Sequence, residues 1–186
     1  YYAAGPAERR DGALYDWAWD KPESPRERWA PARAVGRGVP RSIRQGAPYQ
    51  LSPGSRALVP DPLPAMEETP TTVGNVVRAS GPVTRDPEFP ASGLATIPAR
   101  TTAKLLFDRR TIVNAYPIVR LAGGRGAIVR MTYAESLFDD KGRKGNRDQI
   151  EGKEMVGLFD ELVVDGGTRT FEPHWWRSWR YLELEV

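Results

Sequence analysis

The chain has 186 residues and a net charge of +3, from 27 basic and 24 acidic side chains, a length that suits one ordinary domain or two small ones. An apolar share of 40%, with 10% aromatics, is enough for a core and excludes wholesale disorder; no apolar run nears the roughly 18 residues that span a bilayer. The lack of Cys excludes a disulfide scaffold, a Cys-ligated zinc and a thiol nucleophile, and the single His, His174, excludes a site needing two imidazoles. The 22 Arg and 5 Lys are spread evenly, with no block of five or six like charges. A polyanion-binding face needs such clustering, so neither nucleic acid nor membrane is expected as a partner. The first residue is Tyr1 and no signal-peptide pattern follows, so we expect a processed chain or a piece of a longer protein.

Proline divides the sequence. Residues 1–100 carry 15 of the 17 prolines. Proline breaks helix interiors and cannot donate to a sheet ladder, so this half is expected to hold extended segments and short strands. Trp17, Trp19, Trp29, Leu58, Val59, Leu63 and Met66 are its scattered apolar anchors. The run Leu58-Val59-Pro60-Asp61-Pro62-Leu63-Pro64 reads as a stiff polyproline-like connector. We take residues 1–70 as a Pro-rich tail plus linker and 71–186 as the folded domain.

From Thr101 the period becomes two. Ala103, Leu105 and Phe107 share one side of a strand. Ile118–Leu121 is a second strand, ending at Gly123-Gly124-Arg125-Gly126. Beyond that turn Ala127, Val129, Met131 and Tyr133 share a face, and the two runs read as a hairpin. Asp139–Gly152 is a charged loop. Met155–Val164 is a further strand, closed at Asp165-Gly166-Gly167, with Thr168–Phe171 pairing back. Trp175–Val186 is the last strand; Leu182, Leu184 and Val186 are expected inside, Glu183 and Glu185 outside. About six strands and no helix predict an all-β fold, an antiparallel β-sandwich of the jelly-roll kind.

Chemistry is harder to place. The Gly123–Gly126 turn lacks the Lys-Ser/Thr and the helix of a phosphate loop. In Asp139–Gly152, Lys141, Arg143, Lys144 and Arg147 stand where calcium would need oxygens, so no metal is expected, and nothing requires a cofactor. Asn146, Arg147 and Asp148 are candidates for a loop at the rim of a cleft. Glu67, Glu68, Asp108, Glu135, Asp160 and Glu161 are acids of the type that glycoside hydrolysis pairs, but no spacing pairs two of them; Glu135 reads as a buried or rim carboxylate bonded to an Arg. Trp175, Arg177, Trp179 and Tyr181 alternate along the last strand. Such an aromatic and cationic stripe is a domain interface or a sugar platform if it faces solvent, and ordinary core if a bulge at Ser178 or Arg180 turns it inward.

Several of these segments resemble a known family in their order. Leu106-Phe107-Asp108, Asn114-Ala115-Tyr116-Pro117, Val129–Leu137, Lys144-Gly145-Asn146-Arg147, Asp165-Gly166-Gly167, Phe171-Glu172-Pro173 and Arg180–Leu184 look like the β-sandwich domain of bacterial α-L-rhamnosidases. The likeness covers residues 99–186. The first half resembles what precedes that domain, with Trp29-Ala30-Pro31-Ala32 closing an upstream jelly roll. The resemblance implies a non-catalytic sandwich of an inverting glycoside hydrolase. The acid and base of that enzyme would sit on a following (α/α)6 barrel, so no residue here inherits a catalytic role. The implied partners are that barrel and a rhamnoside ligand. The alternative is an autonomous carbohydrate-binding module built on the Trp175–Tyr181 stripe.

Overall fold

The computed structural model describes residues 6–23, 29–33, 38–40, 56–58 and 62–186. Their regular structure is twelve strands and no helix: β1 (Arg9–Asp11), β2 (Gly38–Pro40), β3 (Arg56–Leu58), β4 (Asn75–Ser80), β5 (Thr84–Arg85), β6 (Ala95–Thr96), β7 (Lys104–Ala115), β8 (Val119–Gly123), β9 (Ile128–Ala134), β10 (Leu158–Val163), β11 (Gly166–Phe171) and β12 (Arg177–Glu185). The all-β expectation holds, and the second half carries the long strands, as its lack of proline requires.

The chain forms two units. One comprises the described residues between 16 and 70, where β2 and β3 pair in parallel. Trp19, Trp29, Leu63 and Met66 are each about half exposed or more, so they are not buried anchors. Most of the Leu58–Pro64 connector, and Val59 with it, lies outside the described residues. The other unit joins residues 6–15 to 71–186. Residues 6–15 are therefore a piece of the sandwich rather than part of a tail running to residue 70, a correction that no local pattern announced.

Six strands of this unit form one sheet in the order β1-β10-β9-β12-β7-β4. Four of its pairings are antiparallel; the edge pair β1–β10 is parallel. Register puts Leu105, Leu184, Met131 and Asp160 in one row, and Phe107, Leu182, Tyr133 and Leu158 in the next. These rows share the inner face. Leu105, Phe107, Met131, Tyr133 and Leu182 are buried there, each apolar side chain stabilising by roughly 1.5–3 kcal/mol. Phe89 covers one end of this face, 6.0 Å from Phe107. At the other end Arg10 reaches the Phe171 ring on β11.

The hairpins expected from turn signals are rearranged. β8 does not pair with β9, nor β11 with β10; β8 and β11 pair with each other in a separate sheet. Both Gly-rich turns are real, and they lean together: Gly126 N–H donates to Val164 O and Val164 N–H to Ala127 O. The chain leaves one layer at each turn instead of folding back within it.

The outer face carries a ladder of alternating charge. Ser80, Lys104, Glu185, Arg130, Glu161 and Arg9 are successive cross-strand neighbours over all six strands. Lys104 lies 3.1 Å from Glu185 and Arg130 2.8 Å from Glu161, the opposite-charge pairing that stabilises sheets. Over β7 and β12 this face is covered by the long loop that follows β9. Leu137 of that loop packs on Leu106 and Tyr181, with Ile150 and Met155 beside them.

Candidate functional site

Trp175, Arg177, Trp179 and Tyr181 do not form one exposed stripe. A break in β12 splits them. Trp179 is opposite Val113 on β7, yet Tyr181 is opposite Asp108, so four residues of β7 face one of β12. The extra length is taken up around Arg110, a non-glycine residue at φ 72°, whose strained amide is held by Asp108 Oδ1 at 2.6 Å. Of the stripe, Arg177 and Trp179, before the break, therefore face inward and Tyr181, after it, outward. Trp179 is buried 5.7 Å from the Tyr133 ring. Arg177 is completely buried, donating to Asp160 Oδ1 at 2.7 Å and Oδ2 at 2.8 Å. Tyr181 keeps the outer face expected of it, but the loop buries it completely. Only Trp175 stays open, about half exposed.

The structure does bring the stripe and the loop candidates together. Tyr181 Oη donates to Arg147 O at 2.6 Å. Arg180 Nη1 reaches Asp148 Oδ1 at 2.6 Å, while its Nε and Nη2 hold Asp108 at 2.9 and 3.1 Å. Asn146 Oδ1 accepts the Asp148 amide, and Asn146 O accepts Lys153 Nζ. Glu135 sits 3.9 Å from Arg147 and 4.0 Å from Lys144. Asn146, Arg147 and Asp148 thus clamp the loop onto β12.

Three of the candidate carboxylates are already committed. Asp108 answers Arg180, Asp160 answers Arg177 and Glu161 answers Arg130. Burial pushes the Asp108 carboxyl up, but the hydrogen bonds from Arg180 and the Arg110 amide outweigh it and hold it below its ordinary range. The hydrogen bond to Asp108 raises Arg180 in turn. Burial raises the phenol of Tyr133. Among the described residues Trp179 Nε1 is buried without a hydrogen-bond partner, a local cost of placing it in the core.

Two concavities stand out among the described residues. One, of about 730 Å3, lies between the β1 segment, Tyr15 and the turn His174–Trp175. Its floor is Arg10, whose guanidinium carbon is 4.3 Å from the Tyr15 ring and 4.8 Å from that of Phe171. Glu8 ties it together, accepting from Arg10 and from the His174 amide. The other, of about 400 Å3, opens on the outer face where the loop returns to the sheet. Arg78, Ser80, Lys104, Leu106 and Glu183 form its floor and one side; Lys153, Glu154 and Met155 form the opposite wall. Sequence reasoning missed this second site. Alternation places Glu183 outward correctly, but only the covering loop turns that outward position into the base of a cleft, and loop paths leave no periodic signal. No family model matches this chain, and neither does any curated protein or solved structure.

Proposed function

We propose that this chain is the accessory β-sandwich portion of an α-L-rhamnosidase-like glycoside hydrolase, packing on an (α/α)6 barrel that hydrolyses terminal α-L-rhamnosides with inversion. One observation carries the reading. Three of the segments behind the resemblance, Leu106–Asp108, Val129–Leu137 and Arg180–Leu184, fall mainly on β7, β9 and β12, which are adjacent in the centre of the sheet. The Lys144–Arg147 segment belongs to the same assembly through the bond from Tyr181 to Arg147. The first three segments are thus neighbours in space. Two of the charged residues in these segments, Asp108 and Arg180, serve that assembly by pairing with each other. The alternative, a carbohydrate-binding module on the Trp175–Tyr181 stripe, is weakened because Arg177, Trp179 and Tyr181 are buried.

The decisive experiment is to read the gene beyond Val186 and assay its whole product on an aryl α-L-rhamnoside. A helical, acid-bearing barrel and rhamnoside turnover are expected. A different downstream domain, or a whole product inert on that substrate, overturns the proposal. Rhamnoside binding by the 186-residue chain that Trp175→Ala abolishes would favour the binding-module reading.

A further inference from the structure

Glu183 is a carboxylate short of partners. Its side chain is 15% exposed, and among the described residues no donor hydrogen-bonds it. The nearest cation, Arg78 Nη2, stands off at 3.9 Å, beyond hydrogen-bond reach. Arg78 cannot close that gap without releasing the loop, because its Nη1 donates to Ile150 O at 3.3 Å and Lys153 O at 2.9 Å. The other cations are also occupied. Lys104 pairs with Glu185, and Lys153 Nζ donates to Lys144 O and Asn146 O at 2.7 and 2.8 Å. A half-buried carboxylate that receives no hydrogen bond from the described residues depends on solvent or a ligand for one, and this one lines an open cleft.

The surroundings select a ligand. Around the cleft Arg78, Lys104 and Lys153 balance Glu154, Glu183 and Glu185, so a net charge of either sign meets three like charges. Leu106 and Met155 add an apolar side. About 400 Å3 is at the small end of ligand pockets, which run roughly 300–1,000 Å3. We propose that this cleft binds a neutral polyol of about one sugar ring, with a ligand hydroxyl bridging Arg78 and Glu183, accepting from the guanidinium and donating to the carboxylate. The site is separate from the Trp175 stripe and does not rest on the glycoside hydrolase reading; either can fail alone.

Burial raises the Glu183 pKa above its ordinary 4.5. A hydroxyl donating to the carboxylate favours the ionised form, so binding is strongest above that raised pKa and weakens as pH falls through it. The charged groups facing Glu183 are Arg78 on β4, Lys104 on β7, Glu185 on β12, and Lys153 and Glu154 on the loop. All five are common to wild type and a Glu183→Gln variant, so the difference between the two profiles isolates Glu183.

The test is amide-shift titration of the 186-residue chain with myo-inositol and D-glucose, alongside glucosamine and glucuronate as charged counterparts. Saturable shifts at Ser80, Met155 and Glu183 are expected with the neutral probes, and weaker ones with the charged pair. Glu183→Gln, checked for unchanged thermal unfolding, should bind at least about tenfold more weakly and lose the pH dependence, since a hydrogen bond to a charged group is lost. If the Gln variant unfolds, Glu183→Asp, which withdraws the carboxylate by one methylene, should weaken binding in the same sense. No saturable shift with either neutral probe overturns the proposal. So does equal affinity in the variant, tighter binding of a charged probe, or shifts centred on Trp175.

Discussion

Replacing Asp160 with Asn tests the inner-face ion pair with almost no change of shape. Arg177 is wholly buried, and Asp160 supplies both of its short carboxylate contacts, at 2.7 and 2.8 Å. Its other acceptors are the carbonyls of Pro6 at 3.1 Å and Trp176 at 3.4 Å. Asn fills the same volume, so no cavity forms, and the loss is that of an uncompensated buried cation, about 3–5 kcal/mol. Domains of this size are stable by roughly 5–15 kcal/mol, so the variant should lose a large part of its margin. Converted to temperature at roughly 2–4 °C per kcal/mol, its midpoint should fall by about 6–20 °C. Urea unfolding followed by tryptophan fluorescence reads the change, Trp179 reporting from the same core. Asp160→Leu combined with Arg177→Met should recover most of the loss, because it removes both charges rather than orphaning one. A single-variant loss under about 1 kcal/mol, or a double variant no better than the single, would refute the reasoning.

Trp179→Ala should cost the chain about 3–5 kcal/mol, as for a buried aromatic, and Leu184→Ala distinctly less, because Leu184 is only half-buried; chemical denaturation of the two variants checks the order. Asp108 holds its folded pKa below the ordinary 3.8, so the stability it contributes is fully present above 3.8 and is lost as pH falls through the lower, folded value. Wild type should therefore exceed Asp108→Asn in stability by a constant margin at neutral pH, a margin that shrinks below about pH 4; acid titration of both proteins, followed by circular dichroism, measures it.

Face assignments were legible in the sequence, and pairings were not. Val129, Met131 and Tyr133 alternate strictly and are buried together, because a period of two follows from the pleat alone. Partner choice depends on where the chain goes after a turn. Gly123–Gly126 and Asp165–Gly167 have hairpin composition, yet each carries the chain to another sheet. The Trp175–Tyr181 stripe failed for a different reason. Its alternation is sound up to Trp179, and the break beyond it is fixed by a bulge on the neighbouring strand, around Arg110 and Asp108, which the sequence of β12 does not encode. The covering of Tyr181 and Glu183 depends on the loop clamp through Arg147 and Asp148, where individual polar contacts decide the path.

The parallel edge strand sets an order of events during synthesis. Glu8 and Asp160, bonded at 2.8 Å, are 152 positions apart, and β1 has no partner in the sheet until β10 exists. At translation rates of roughly 5–20 residues per second, the β1 segment waits about 8–30 s for its place. Until it docks, the β10 edge is an open template for other strands. Docking of β1 therefore protects the sheet against self-association, and a fusion that encumbers residues 6–12 would act first on yield and aggregation.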